Sequence, residues 1–298
     1  MLSSTERCRF GSKPNRRLTR PTETSTISEP QTERRTTVTV ILMPSITFPL
    51  EIEVTILEFL ADEDDEGHSA LKTCSLVCQA FLPICRKYIF GSIVLNDYNS
   101  PPSPTTHAFD RLLREAPKIA DYIRKLDYNI RNGDLIIPSI QESLKRINRL
   151  EFLTFQNWES LKWSNNPIRP TLLHLLHLPT VTHFKATNIE DFVVSDLIPC
   201  VNLKYLEIGI KTSAATENIL PATFPDRPIR LEEFVARFRS CGVIMKLCTT
   251  RRPDGQPIIE FRALSKITVV IEVSDDGEAS QELFRRCDSL TDVYITCK

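Results

Sequence analysis

Three cysteines fall close together, Cys74, Cys78 and Cys85, in the spacing C-x3-C-x6-C. Cysteine thiolates at such spacing are candidate zinc ligands, but a structural zinc site needs four Cys or His ligands converging tetrahedrally. His68 would complete the set only by folding back against its own helix, and no second cysteine pair is near. The segment HLLHLPTVTH supplies His174, His177 and His183. Residues three apart share a helical face, yet no Glu stands between the first two to serve as the base of a zinc protease. The sequence carries no G-x-G-x-x-G, no G-x-x-x-x-G-K-[ST] and no G-x-S-x-G, and it holds eight glycines in 298 residues, few for loops that must bring backbone against phosphate. The expectation is a protein with no catalytic residue, no metal and no cofactor. The cysteines then read as small hydrophobes. Nine of them, an odd number in a long chain, suit a reducing compartment, cytoplasmic and/or nuclear.

The elements that would position these side chains divide the chain in three. Residues 1–44 are rich in Thr, Ser, Pro and Arg, with few large apolar side chains, and read as a disordered basic tail. Residues 45–91 read as a helical module. Its first helix opens at Pro49, with Glu51 and Glu53 at its positive end, and stops at ADEDDEG. The acidic run lacks the ligand spacing of a calcium loop and reads as a solvated connection. The second helix starts at Ser69 as an N-cap and runs to about Phe81. Pro83 ends it or opens a third helix.

Residues 92–298 show a weak internal repeat, apolar-x-x-apolar-x-apolar, seen eight times between FGSIVL and LTDVYI. Its middle anchors are Ile93, Leu126, Leu153, Phe184, Leu206, Phe234, Ile267 and Val293, at intervals of 22 to 33 residues. Helix-like stretches such as THAFDRLLREA, IPSIQESLKRI, RPTLLHLLHL, EDFVVSDLI and SQELFRRC lie between. Strand and helix repeated at this period predict an α/β solenoid with a parallel sheet on its inner face. A doubly wound α/β domain is the alternative.

The helical module holds more apolar surface than it can hide. On helix one, Ile52, Ile56, Phe59 and Leu60 line one face, and Leu50, Val54 and Leu57 another. Helix two pairs a face of Leu71, Cys74, Cys78, Phe81 and Leu82 with a second side of Leu76, Val77 and Ala80. A helix that is apolar all round must be covered on every side, and a module of about 45 residues buries too little to do so internally. The surplus predicts a protein partner.

At these residues the module resembles an F-box. Phe48-Pro49, the helix LEIEVTIL, Val77-Cys78 ahead of Phe81, and Ile89-Phe90 leading into SIVL follow the family's order over Ile46 to Leu95. Phe48 stands where Leu is commoner, and Phe81 and Phe90 where Trp is commoner. The resemblance implies the substrate-receptor subunit of an SCF-type ubiquitin ligase: an F-box followed by a degenerate leucine-rich-repeat-like solenoid. It would dock on the Skp-family adaptor, and through it on a cullin, by Pro49, Leu50, Ile52, Leu57, Val77, Cys78 and Phe81. Cys78 is then an apolar contact, not a ligand. The chain itself would do no bond chemistry, acting as a non-enzyme that holds an unknown protein target; a scaffold using the same adaptor contact outside ligase work, or an α/β-fold enzyme, are the other readings. Strand alternation puts Phe152, His183, Lys185, Tyr205, Glu207, Lys266 and Tyr294 on the concave face as target contacts. That face is polar with spaced aromatics and carries no phosphate stripe, and no apolar run reaches the ~18 residues of a membrane span. Neither nucleic acid nor membrane is expected as a partner.

Overall fold

The computed structural model describes residues 49–62, 65–77, 79–95, 104–130, 138–157, 162–216, 225–272 and 274–297. The chain divides into two units, Met1–Thr47 and Phe48–Lys298. The basic tail, Phe48, Cys78 and the acidic positions 63–64 lie outside the described residues, as does most of NDYNSPPSPTT.

The second unit opens with three helices, α1 (Leu50–Asp62), α2 (Asp65–Val77) and α3 (Phe81–Ile89). Pro49 starts α1, its carbonyl accepting the amides of Ile52 (3.0 Å) and Glu53 (3.3 Å). Helix α2 begins at Asp65, ahead of the expected N-cap Ser69. Part of the acidic run is thus helical, and acidic residue types favour the positive end of a helix dipole. Pro83 falls in the first turn of α3, where a missing amide costs nothing because the first amides of a helix have no partner within it.

Among the described residues eight strands follow: β1 (Ser92–Leu95), β2 (Lys125–Ile130), β3 (Phe152–Asn157), β4 (His183–Thr187), β5 (Tyr205–Ile208), β6 (Glu233–Ala236), β7 (Lys266–Ile271) and β8 (Asp292–Cys297). Each pairs in parallel with the next, in the order β1-β2-β3-β4-β5-β6-β7-β8. Strand order never reverses, so the sheet has no switch point and is not doubly wound. Among the described residues helices α4 (Pro104–Glu115), α5 (Pro138–Leu144), α6 (Arg169–Leu176), α7 (Cys241–Thr249) and α8 (Ser274–Phe284) lie in five of the crossovers. The 3-10 helix Val194–Leu197 stands in the β4–β5 crossover, and Pro117–Tyr122 and Phe261–Ala263 follow α4 and α7 within theirs. EDFVVSDLI, expected as a helix, contributes only that 3-10 turn.

The repeat motif and the pairing register coincide. Ile93 aligns with Leu126, then Leu153, Phe184, Leu206, Phe234, Ile267 and Val293. From Leu126 to Ile267 this row is buried, as are Tyr128, Phe155, Ala186, Ile208, Ala236 and Val269 two positions on. A column of tilted and edge-on rings, Phe155, Trp163, Phe184 and Phe192, fills the centre with centroids 5.6–6.3 Å apart. On β8 the same two positions, Val293 and Ile295, are about half exposed.

The strand starts are tied by one repeated hydrogen-bond pattern. The carbonyl of Gly91 accepts the amides of both Arg124 and Lys125, each at 2.9 Å. Arg124, Glu151, Thr182, Lys204, Glu232 and Ser265 then do the same, each taking two successive amides of the following coil at 2.7–3.1 Å. Where two amides converge on one carbonyl, the chain turns into each strand at the same point.

Candidate functional site

The helical bundle has its own small core, apart from that of the sheet. Leu57, Leu71 and Cys85 are buried in it, with Leu60, Cys74, Phe81, Ile84 and Tyr88 packed around them half-covered. Burial pushes the Cys85 thiol above its ordinary pKa, and the neighbouring Cys74 adds to this. Cys85 therefore stays a neutral thiol, a small hydrophobe as its neighbours require. His68 is exposed on α2. Among the described residues no three His, Cys, Asp or Glu side chains are grouped to hold a metal.

What this core cannot cover lies outside. Ile52, Ile56 and Phe59, at helical spacing on α1, are 47%, 52% and 67% exposed, and Leu76 and Val77 at the end of α2 are 87% and 74% exposed. Of the anticipated adaptor contacts, Pro49, Ile52 and Val77 are presented to solvent, and Phe81 half so. Leu57 is placed otherwise: at 2% exposure it is the centre of the bundle and cannot touch a partner directly. Both faces of α1 are apolar, so periodicity alone could not say which turned inward. Leu50 lies in α1, its side chain outside the described residues together with Cys78. Ile56, Phe59 and Leu76, exposed to a similar degree, were legible as apolar positions but not as contacts.

On the sheet, the outward positions form two rows. In one, Lys125, Phe152, His183, Tyr205, Glu233, Lys266 and Asp292 align strand by strand. Phe152 and His183 stack with centroids 4.1 Å apart, and His183 and Tyr205 at 5.5 Å, so three flat rings run across three strands. Desolvation holds the His183 pKa below the ordinary imidazole value, against the pull of Glu233 and Glu232. In the second row, Asp127, Thr154, Lys185, Glu207, Val235, Thr268 and Tyr294 align.

Glu207 is the exception among the anticipated target contacts. It is 3% exposed, and its carboxylate accepts from Tyr205 Oη (2.7 Å) and Arg237 Nε (2.5 Å) while pairing with Lys185 Nζ (3.1 Å). Burial pushes its pKa up, but these hydrogen bonds and the Lys185 charge outweigh it and hold the carboxyl below its usual range. Glu207 thus fixes the neighbours that are presented. Phe152 and Tyr294 remain exposed, and His183, Lys185, Tyr205 and Lys266 partly so. Arg237 was missed. It follows β6 by one residue, and the same alternation that selects Glu233 and Val235 reaches it at the next step.

The histidines do not meet as ligands. His174 is exposed on α6, and His177 Nε2 donates to the Asp196 carbonyl at 2.8 Å. The Asp196 carboxylate is occupied by Arg169 (2.8 Å) and the Trp163 indole (2.6 Å). Among the described residues no helix is long and apolar enough to cross a membrane. No family model matches the chain, and no curated protein matches it.

Proposed function

We propose that the chain is the substrate receptor of an SCF-type ubiquitin ligase, an F-box that docks on the Skp-family adaptor and thereby on a cullin, followed by a leucine-rich-repeat-like solenoid that holds a protein target. It acts in the cytoplasm and/or nucleus and makes or breaks no bond itself. One observation carries this reading. Five large apolar side chains, Ile52, Ile56, Phe59, Leu76 and Val77, stand in solvent on helices whose core, among the described residues, holds three buried side chains. Each is worth roughly 1.5–3 kcal/mol when fully covered, enough together to seat a neighbouring chain. The sheet supports the second half of the proposal. Its outward rows mix stacked rings with paired charges, the composition of a protein-binding face.

The joint between the two parts favours placement of a target over free swinging. Helix α3 ends at Ile89, β1 begins at Ser92, and the carbonyl of Gly91 between them holds two amides of the next coil. A target held at a fixed distance from the transferring subunit gains effective concentration.

Co-expression with the Skp-family adaptor tests the reading. Wild type is expected to co-purify with it, and with a cullin when that is supplied. Val77→Asp, a charge placed in an apolar contact, is expected to lower capture by more than tenfold without unfolding the chain, because Val77 makes little contact within it. Failure of the wild type to bind the adaptor, or capture by Val77→Asp and by Ile56→Asp as strong as that of the wild type, overturns it. Adaptor bound with cullin excluded would point to a scaffold outside ligase work.

A further inference from the structure

Five arginines, Arg230, Arg251, Arg262, Arg285 and Arg286, line one cleft of about 610 Å³ on the side from which β6, β7 and β8 start. The chain as a whole carries a net charge of −1, so this is a local excess. Three carboxylates answer the five guanidinium groups. Glu260 pairs with Arg230 at 2.8 Å and Asp288 with Arg262 at 3.5 Å, and Glu282 is divided between Arg285 at 3.5 Å and Arg286 at 2.6 Å. Among the described residues Arg251 has no ion-pair partner. Its backbone is held by a tight turn. Arg251 bridges to Pro257, Arg252 N donates to the Gln256 carbonyl, and Gly255 N donates to Arg252 O, with Gly255 at a φ of +82° that favours glycine.

We propose that this cleft binds a phosphate group, presented by a small phosphorylated compound or by a phosphorylated protein segment. The side chains of Arg230, Arg262 and Arg285 are 70%, 77% and 64% exposed. Their ion pairs are therefore screened, and the forks are free to turn to a stronger acceptor. A phosphate monoester offers nearly two charges and three oxygens, which a planar guanidinium meets two at a time. The volume suits a small ligand or a single modified residue. The cleft is poorly suited to a nucleic-acid strand, since Phe261, the aromatic in its lining, is 4% exposed and offers no ring for bases to stack on. The proposal is independent of the adaptor reading, because its residues lie on the last three coils.

The test is calorimetric titration of the full chain with inorganic pyrophosphate at low ionic strength. Arg251→Gln/Arg285→Gln is expected to weaken binding at least tenfold. Lys118→Gln/Arg149→Gln, in a second basic cleft beside α3, is expected to leave it within twofold. If the first double variant does not fold, Arg251→Gln alone is expected to weaken binding severalfold. No binding by the wild type, or equal losses in the two double variants, overturns the proposal. A phosphoserine peptide bound more tightly than pyrophosphate assigns the site to a protein segment, and the reverse order to a small compound. An unphosphorylated peptide bound equally well overturns it.

Discussion

At Glu207 a residue chosen for its outward position turns out to be an internal anchor. Three neighbours converge on one carboxylate that is almost fully covered. Its folded pKa lies below the ordinary value of 4.5, so its stabilising contribution is complete above that value and is lost as pH falls through the folded pKa. Glu207→Gln is expected to cost about 2 kcal/mol at pH 7, the worth of hydrogen bonds to a charged group. That difference from wild type is expected to shrink progressively below pH 4.5. Urea unfolding at pH 7 and pH 3 measures both, and a pH-independent difference would refute the assignment. Alternation identified the face on which Glu207 lies. It could not reveal that Tyr205, two positions earlier on the same strand, would bend its hydroxyl over the carboxylate. In α1 the limit was different: Leu57 and Ile56 are adjacent, equally apolar, and separated only by which way the bundle closed.

Between elements, the α3–β1 junction is the place where the helical bundle meets the sheet. A Cβ on Gly91 would lie 2.5 Å from the carbonyl oxygen of Lys87, backbone that cannot rotate away. Gly91→Ala is expected to destabilise the protein by about 1–3 kcal/mol, as overpacking does. It should also speed amide exchange at Arg124 and Lys125, whose partner is the Gly91 carbonyl. Unchanged exchange at these two amides would show that the junction is not a structural tie. Among the described residues five strand-to-strand crossovers contain α-helices, and four of these were legible from apolar spacing. Helix α7 was not, because CGVIMKLCT begins with a glycine after its cysteine and is apolar on most sides, which leaves little periodic contrast. The start of α2 was misplaced by four residues because the acidic run looked like solvent-facing loop, whereas carboxylates favour a helix beginning.

For the molecule as a whole, one row of anchors runs from buried to open. Phe184 and Val293 hold equivalent register positions, yet Phe184 is 0% and Val293 47% exposed. Phe184→Ala is expected to cost about 3–5 kcal/mol, and Val293→Ala about 1 kcal/mol or less. Denaturant titration of the two variants decides whether the last coil is as firmly held as the centre; similar losses would show that it is. The parallel order of all eight strands was legible because a motif of three apolar positions recurred, although its period was irregular. The irregularity has a mechanical reading. Seven carbonyls, from Gly91 to Ser265, grip the following coil at one fixed point of its path, while the residues between grips vary in number. Extra length bulges out between grips without shifting the pitch, so coils can be lengthened or trimmed there while the rings and charges of the sheet keep their spacing, like rungs bolted to a single rail.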